Sequence, residues 1–205
     1  HDLTNLKREV RRRCTLAGEP IVEVDLHASF VAALTAVYAE GVERDRLTNM
    51  LELGDFYGIF AEMIGEPFTP GFKQRFLRDV IFGRPWPGCK LWDCFRRLFP
   101  NTARKIHLDR SAPGPCRIKG GKRTAFGQTL ISRRLSFVES RIFWKNALMR
   151  LHDQRVPAIP IHDCLMVRER DARAAKGAIQ AAAVEILGFA PAVTAKNWNG
   201  ERLRV

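Results

Sequence analysis

Two short segments, far apart in the chain, each carry an aspartate among β-forming residues. Residues 20–25, PIVEVD, alternate apolar and polar side chains, the period of a half-buried strand ending on Asp25. Residues 158–169, AIPIHDCLMVRE, hold two short apolar runs around His162 and Asp163 and read as a hairpin with a tight turn. Pro160 cannot donate to a sheet ladder, so its strand is expected at an edge or just beginning. No other feature restricts the fold as much as these strands do.

The rest reads largely as helix. Residues 5–13 predict a short basic helix, and 28–40 a helix with Val31, Leu34 and Tyr38 at helical spacing. The stretch 44–110 reads as helical with breaks. It holds one candidate helix from Asp55 to Gly65 and another opened by Thr69-Pro70 and running to about Ile81. GRPWPG (83–88) predicts a loop, and KLWDCFRRLF (90–99) an amphipathic helix stopped by Pro100. Residues 111–124, SAPGPCRIKGGKRT, are the most loop-like part. A long helix is expected over 127–152, with Ile131, Leu135, Val138, Ile142 and Met149 as its buried stripe. An Ala-rich helix over 171–187 ends at Gly188, and PAVTAK (191–196) is a last strand.

With 44–124 set aside as a helical insert, the order is strand, helix, strand, strand, helix, strand. That is the α+β, ferredoxin-like order that RNA-recognition modules also use: an antiparallel sheet backed by two helices. The expected organisation is a basic N-terminal helix at 1–19, a sheet domain formed by 20–43 and 125–205, and the insert at 44–124. In such a sheet the first strand lies beside the hairpin, so Asp25 and Asp163 come close together.

Two carboxylates brought together repel each other, and burying either alone is costly. A shared divalent cation resolves both problems, and Mg²⁺ takes one or two protein carboxylates completed by phosphate oxygens and water. The plainer reading of either Asp alone is a turn or cap residue.

Composition agrees with nucleotide chemistry. The chain has 205 residues, 46% of them hydrophobic, enough for one domain with a core and a small subdomain. Its formal net charge of +12 favours an anionic partner, of which nucleic acid is the commonest. No apolar run of about 18 residues predicts a membrane span. The N-terminus lacks a signal-peptide stretch and a starting Met, so the chain reads as a piece or a processed form. Five scattered cysteines without a C-x-x-C pair argue against a zinc knuckle or disulfide framework and for reduced thiols in the cytoplasm.

Several segments together resemble the polymerase motifs of family A DNA polymerases, most of all the short, divergent phage- and plasmid-type members. VEVDLHASFVAAL is similar to motif A, FKQRFLRDVIFG to motif B, and IPIHDCLMV to motif C. GDFYGIFAEMIG is similar to the segment after motif A, and LSFVESRIFWKNALMRL to the long helix leading into motif C. Order and spacing agree over roughly 20–170. The resemblance implies a palm-like sheet domain, a fingers-like insert, Mg²⁺ or Mn²⁺, primer-template DNA (or RNA) and nucleoside triphosphates.

Residue by residue, it implies that Asp25 and Asp163 bind metal and that His162 contacts the primer end or supports its neighbour. Arg75 and Arg78 would face the nucleotide's phosphates, Phe82 would lie near its base, and Glu139 stands near a family Gln that touches the duplex. Arg78 replaces the family's Lys, Phe30 stands where the family has Glu and could block a ribose 2′-hydroxyl, and GRPWPG replaces the stretch with the motif B Tyr, leaving Trp86 as an aromatic substitute. A separate subunit or further segment would have to supply a thumb.

Other nucleic-acid contacts are expected at Arg117, Lys119, Lys122 and Arg123 in the basic loop, and at Arg134, Arg141 and Lys145 on the long helix. A solvated loop and a solvated helix face are the alternatives. Trp92 could stack on a base, though core packing is the plainer role. The function expected is nucleotidyl transfer to a 3′ end. Its rivals are a primase or template-independent transferase on the same palm, and a non-catalytic nucleic-acid-binding replication factor. An HD-type phosphohydrolase using His107 and Asp109 is disfavoured, because His162-Asp163 lies in a hairpin. No P-loop motif is present.

Overall fold

The computed structural model describes residues 13–83, 87–111, 117–119, 122–124, 130–161, 163–197 and 201–203. The expected basic helix at 5–13 falls almost wholly outside them. Backbone contacts divide the chain into two compact units: His1–Ser29 with Val138–Val205, and Phe30–Phe137. The dividing points fall inside two helices, Ser29–Tyr38 and Leu130–Ser140.

The first unit is built on an antiparallel sheet. Its central strand is β2 (Glu19–Leu26), preceded by the short β1 (Thr15–Leu16). The hairpin is β5 (Ala158–Ile161) and β6 (Cys164–Arg168), and β7 (Val193–Lys196) and β8 (Arg202–Leu203) complete it. The order is β5-β6-β2-β7-β8, so the first long strand pairs with the hairpin's second strand. Pro160 sits on the edge strand β5, where its missing amide costs no ladder bond.

The register assigns the faces. Val22, Val24 and Leu26 alternate with Ile21, Glu23 and Asp25, and cross-strand partners share a face. Val22 opposes Val167, and Val24 opposes Leu165 and Ala195. This apolar face meets the Ala-rich helix Ala172–Leu187, whose Ala175, Ala178, Ala182 and Ala183 are buried. Gly188, at φ +83, ends that helix in the left-handed conformation that glycine adopts without steric cost. The opposite face gathers Ile21, Ile161, Cys164 and Met166, with Cys14 and Leu16 packed against them. Asp25 belongs to this second face by alternation.

In the second unit, α1 (Ser29–Tyr38, from Phe30 onward), α2 (Gly41–Glu52), α3 (Phe56–Met63) and α4 (Pro70–Phe76) succeed one another. The chain continues from α4 as a π-helical turn, Leu77–Phe82, and then α5 (Lys90–Leu98) and α6 (Pro100–Ser111). Phe56, Phe60, Phe76, Phe95 and Phe99 are fully buried and make an aromatic core. Phe76 meets Phe56 and Phe60 edge-on, with ring centroids 5.3 and 5.1 Å apart. Pro100 stops α5 and also opens α6, a position where its missing amide hydrogen is not needed. Glu43 completes that end by accepting from the Asn101 and Thr102 amides at 3.0 and 2.8 Å.

Two sequence expectations are corrected. The stretch 111–124, read as a loop, carries an antiparallel ribbon, β3 (Arg117–Lys119) paired with β4 (Lys122–Thr124). Met149, expected in a buried stripe, is 51% exposed. The long helix is α-helical over Leu130–Ser140, π-helical over Arg141–Ala147 and α-helical again over Leu148–Asp153. The wider π turn adds a residue and rotates the helix C-terminal to it. The stripe therefore passes from Ile131, Leu135 and Ile142 to Phe143, Ala147 and Leu151.

Candidate active site

Asp25 opposes Cys164 on one side and Thr194 on the other. Ile161 pairs directly with Cys164, and Asp163, a turn residue, sits one residue from Asp25's cross-strand partner. Both aspartates are half-buried. The strand-to-helix corner after Asp25 is sharp. The His27 amide donates to the Ala192 carbonyl at 2.8 Å, and Ala28 adopts φ +50. A non-glycine residue in that conformation costs on the order of 1–2 kcal/mol, and such strain clusters at functional corners.

The corner delivers Ser29, which is 4% exposed, to the aspartate. Its Oγ lies 3.2 Å from Asp163 Oδ2 and 3.0 Å from Glu139 Oε1. Sequence reasoning missed Ser29, although its place at the start of the helix four residues after Asp25 was a usable signal. Glu139, expected at the duplex, has its carboxylate beside that of Asp163 through this shared hydroxyl.

Among the described residues, no group of three or more His, Cys, Asp or Glu side chains converges as a metal cage. Mg²⁺ and Mn²⁺ also accept a smaller donor set, one or two protein carboxylates completed by phosphate oxygens and water. Crowding acidic oxygens around a single hydroxyl hydrogen leaves negative charge for a cation to neutralise. Carboxylate oxygens such as those of Asp163 and Glu139 are the donor type such an ion takes.

In the second unit, Arg75 and Arg78 line one cleft of about 740 Å³ with Glu66, Thr69, Gly71 and Gln74. Arg75 is ion-paired with Glu66. Arg78 donates from Nε to Asp79 Oδ1 at 2.5 Å and from Nη2 to Oδ2 at 3.0 Å, while its own side chain stays 63% exposed. Phe30 and Phe82 meet edge-to-face, with centroids 5.1 Å apart and planes at 88°.

The remaining candidates fall in different places. Arg134 donates to Asp109 Oδ2 at 2.7 Å, and Tyr38 donates to the same oxygen at 2.6 Å. Burial, reinforced by that carboxylate, pushes the Tyr38 hydroxyl well above its ordinary range. Asp109 thus has a structural role. Arg141 opens the π turn on an exposed face. Lys119 opposes Lys122, and Arg123 opposes Ile118, on the β3–β4 ribbon. His162 and Trp86 lie outside the described residues. Trp92 is 9% exposed, stacks on Phe95, and carries the Arg110 guanidinium 4.1 Å from its ring, so it packs in the core.

No family model matches the sequence, and no curated protein matches it. The fold is similar to a solved structure, the POL domain of Pol1 from M. smegmatis in complex with DNA primer-template and dNTP. The TM-score is 0.56 and the identity 12%, with 97% of this chain and 44% of that chain covered. This chain thus spans less than half the length of that one. What the two share is the fold, helices with an antiparallel sheet. Among the described residues no helix is long and apolar enough to cross a membrane.

Proposed function

We propose that the chain is a nucleotidyltransferase that extends a nucleic-acid 3′ end from nucleoside triphosphates, in the manner of a minimal family A DNA polymerase. The observation that carries this reading is the register of β2 on β6, which sets Asp25 opposite the neighbour of Asp163. The sheet order β5-β6-β2-β7 supports reading this unit as a ferredoxin-like palm, and the helical unit Phe30–Phe137 as its fingers.

Asp25 and Asp163 would hold Mg²⁺ or Mn²⁺, which supplies charge neutralisation at the phosphates and a lower pKa for the attacking hydroxyl. The primer 3′-oxygen forms a bond to the α-phosphorus, the bond to the bridging oxygen breaks, and pyrophosphate leaves. Arg75 and Arg78 bind phosphate oxygens from their shared cleft. Glu66 and Asp79 hold these guanidiniums in place until the more highly charged triphosphate competes for them. Phe30 limits space at the sugar, with Phe82 against it. His162, Lys119, Lys122, Arg123, Arg134 and Arg141 serve the primer-template, and DNA is the proposed strand.

Primer extension with Mg²⁺ or Mn²⁺, comparing the unaltered chain with Asp25→Ala and Asp163→Ala, tests the proposal. Each substitution is expected to lower the rate about a hundredfold or more. Undiminished extension by both variants sinks the mechanism. Repeating the assay with dNTPs and NTPs, with and without primer, separates polymerase from primase and from template-independent transferase.

A further inference from the structure

We propose that Ser29 is a positioning residue for the reaction, orienting Asp163 through a hydroxyl that Glu139 also engages. The inference rests on the metal-holding role given to Asp163 above and adds two residues to it.

A serine hydroxyl has one hydrogen to donate. Here two carboxylate oxygens, Asp163 Oδ2 at 3.2 Å and Glu139 Oε1 at 3.0 Å, lie within reach of it. The three residues come from separate parts of the chain: the start of α1, the hairpin turn and the long helix. Asp163 is a half-buried turn residue just before β6, and Ser29 holds one of its oxygens. A 4% exposed hydroxyl fixed at a helix start gives that carboxylate one anchored oxygen, which orients the other as a metal ligand. Glu139 competes for the same hydrogen and adds negative charge beside Asp163, so the orientation of Asp163 depends on both residues. An ordinary helix cap would reach the backbone of its own first turn; this serine reaches side chains 110 and 134 positions away.

The test is direct Mn²⁺ titration of the unliganded full chain by electron paramagnetic resonance, beside thermal midpoints, for Ser29→Ala, Ser29→Thr, Glu139→Gln and the Ser29→Ala/Glu139→Gln double variant. The expected result is about tenfold weaker Mn²⁺ binding for Ser29→Ala, the low end of losses from groups that orient a metal ligand. Ser29→Thr, which keeps the hydroxyl, restores binding. The double variant departs from the product of the two single effects, because the two residues act on one carboxylate. In primer extension, Ser29→Ala raises the Mg²⁺ concentration for half-maximal rate while the nucleotide KM holds.

Unchanged Mn²⁺ affinity in Ser29→Ala, or a loss that Ser29→Thr does not reverse, overturns the proposal. Asp163→Ala separates the two levels. If it abolishes Mn²⁺ binding while Ser29→Ala does not affect it, the metal role stands and the positioning role falls. If Asp163→Ala binds Mn²⁺ normally, both fall.

Discussion

The Arg110 guanidinium donates to the Gly83 carbonyl at 2.7 Å, tying the end of α6 to the end of the π-helical turn beyond α4. The same nitrogen reaches the Val80 carbonyl at 3.0 Å, while the guanidinium plane lies over Trp92. Burial pushes this guanidinium down to about 10, so it remains cationic near neutral pH. Arg110→Lys keeps the charge and loses the planar fork. Chemical denaturation is expected to show a loss of about 2 kcal/mol, the scale of hydrogen bonds to a charged group. A variant as stable as the parent would mean that these carbonyls are satisfied without the fork.

Gly83 closes that π turn with an amide donating to the Arg78 carbonyl at 2.6 Å. A Cβ at position 83 would stand 2.2 Å from the same carbonyl oxygen. Gly83→Ala is therefore expected to cost about 1–3 kcal/mol and to displace Arg78. Thermal melting reads the first effect, and a raised KM for the triphosphate with little change in primer affinity reads the second. A normal KM would uncouple Arg78 from the turn.

Glu43 supplies an acid-sensitive contribution to stability. Burial works to raise its carboxyl, but hydrogen bonds from the Thr102 hydroxyl and the Asn101 and Thr102 amides outweigh it, and the net direction is down from 4.5. A carboxyl lowered in the folded state stabilises above its unfolded value and loses that contribution as pH falls through its folded value. Melting curves from neutral pH downward should show the parent more stable than Glu43→Gln by about 1 kcal/mol, the usual worth of such a cap. The gap should narrow as pH falls below 4.5 and close once pH is below the carboxyl's lowered folded value. A gap that persists at low pH would rule out the carboxylate as its source.

Phe30 and Phe82, packed edge-to-face, are expected to set sugar selectivity as one unit. Phe30→Ala should raise ribonucleotide incorporation relative to deoxyribonucleotide by about tenfold, and Phe82→Ala should move the ratio the same way. The double variant should add little to the larger single effect. Competition assays with paired dNTP and NTP give the ratio; independent, multiplicative effects would separate the two rings.

Local patterns carried much of this fold in advance. The alternation in PIVEVD, the apolar runs around Asp163, the Thr69-Pro70 opening and the Gly188 stop all produced elements close to where the sequence placed them, because each depends on neighbours a few residues away. The pairing of the first strand with the hairpin was legible too, since element order leaves few sheets open to such a chain. Those features singled out the aspartate pair as the candidate.

Tertiary structure decided the rest. The π turns over Leu77–Phe82 and Arg141–Ala147 leave no composition signal, yet the second turns Met149 outward and Leu151 inward. The ion pairs of Arg75 and Arg78, and the hold of Asp109 on Arg134, depend on which charges folding brings together. Ser29 shows the reason most directly. Its hydrogen bonds span 110 and 134 residues, and no sequence period reports a contact between a helix start, a long helix and a hairpin turn. The sequence by itself determined that one aspartate lies near the end of a strand and another at the turn of a hairpin; only the folded chain set a serine hydroxyl and a third carboxylate beside the second.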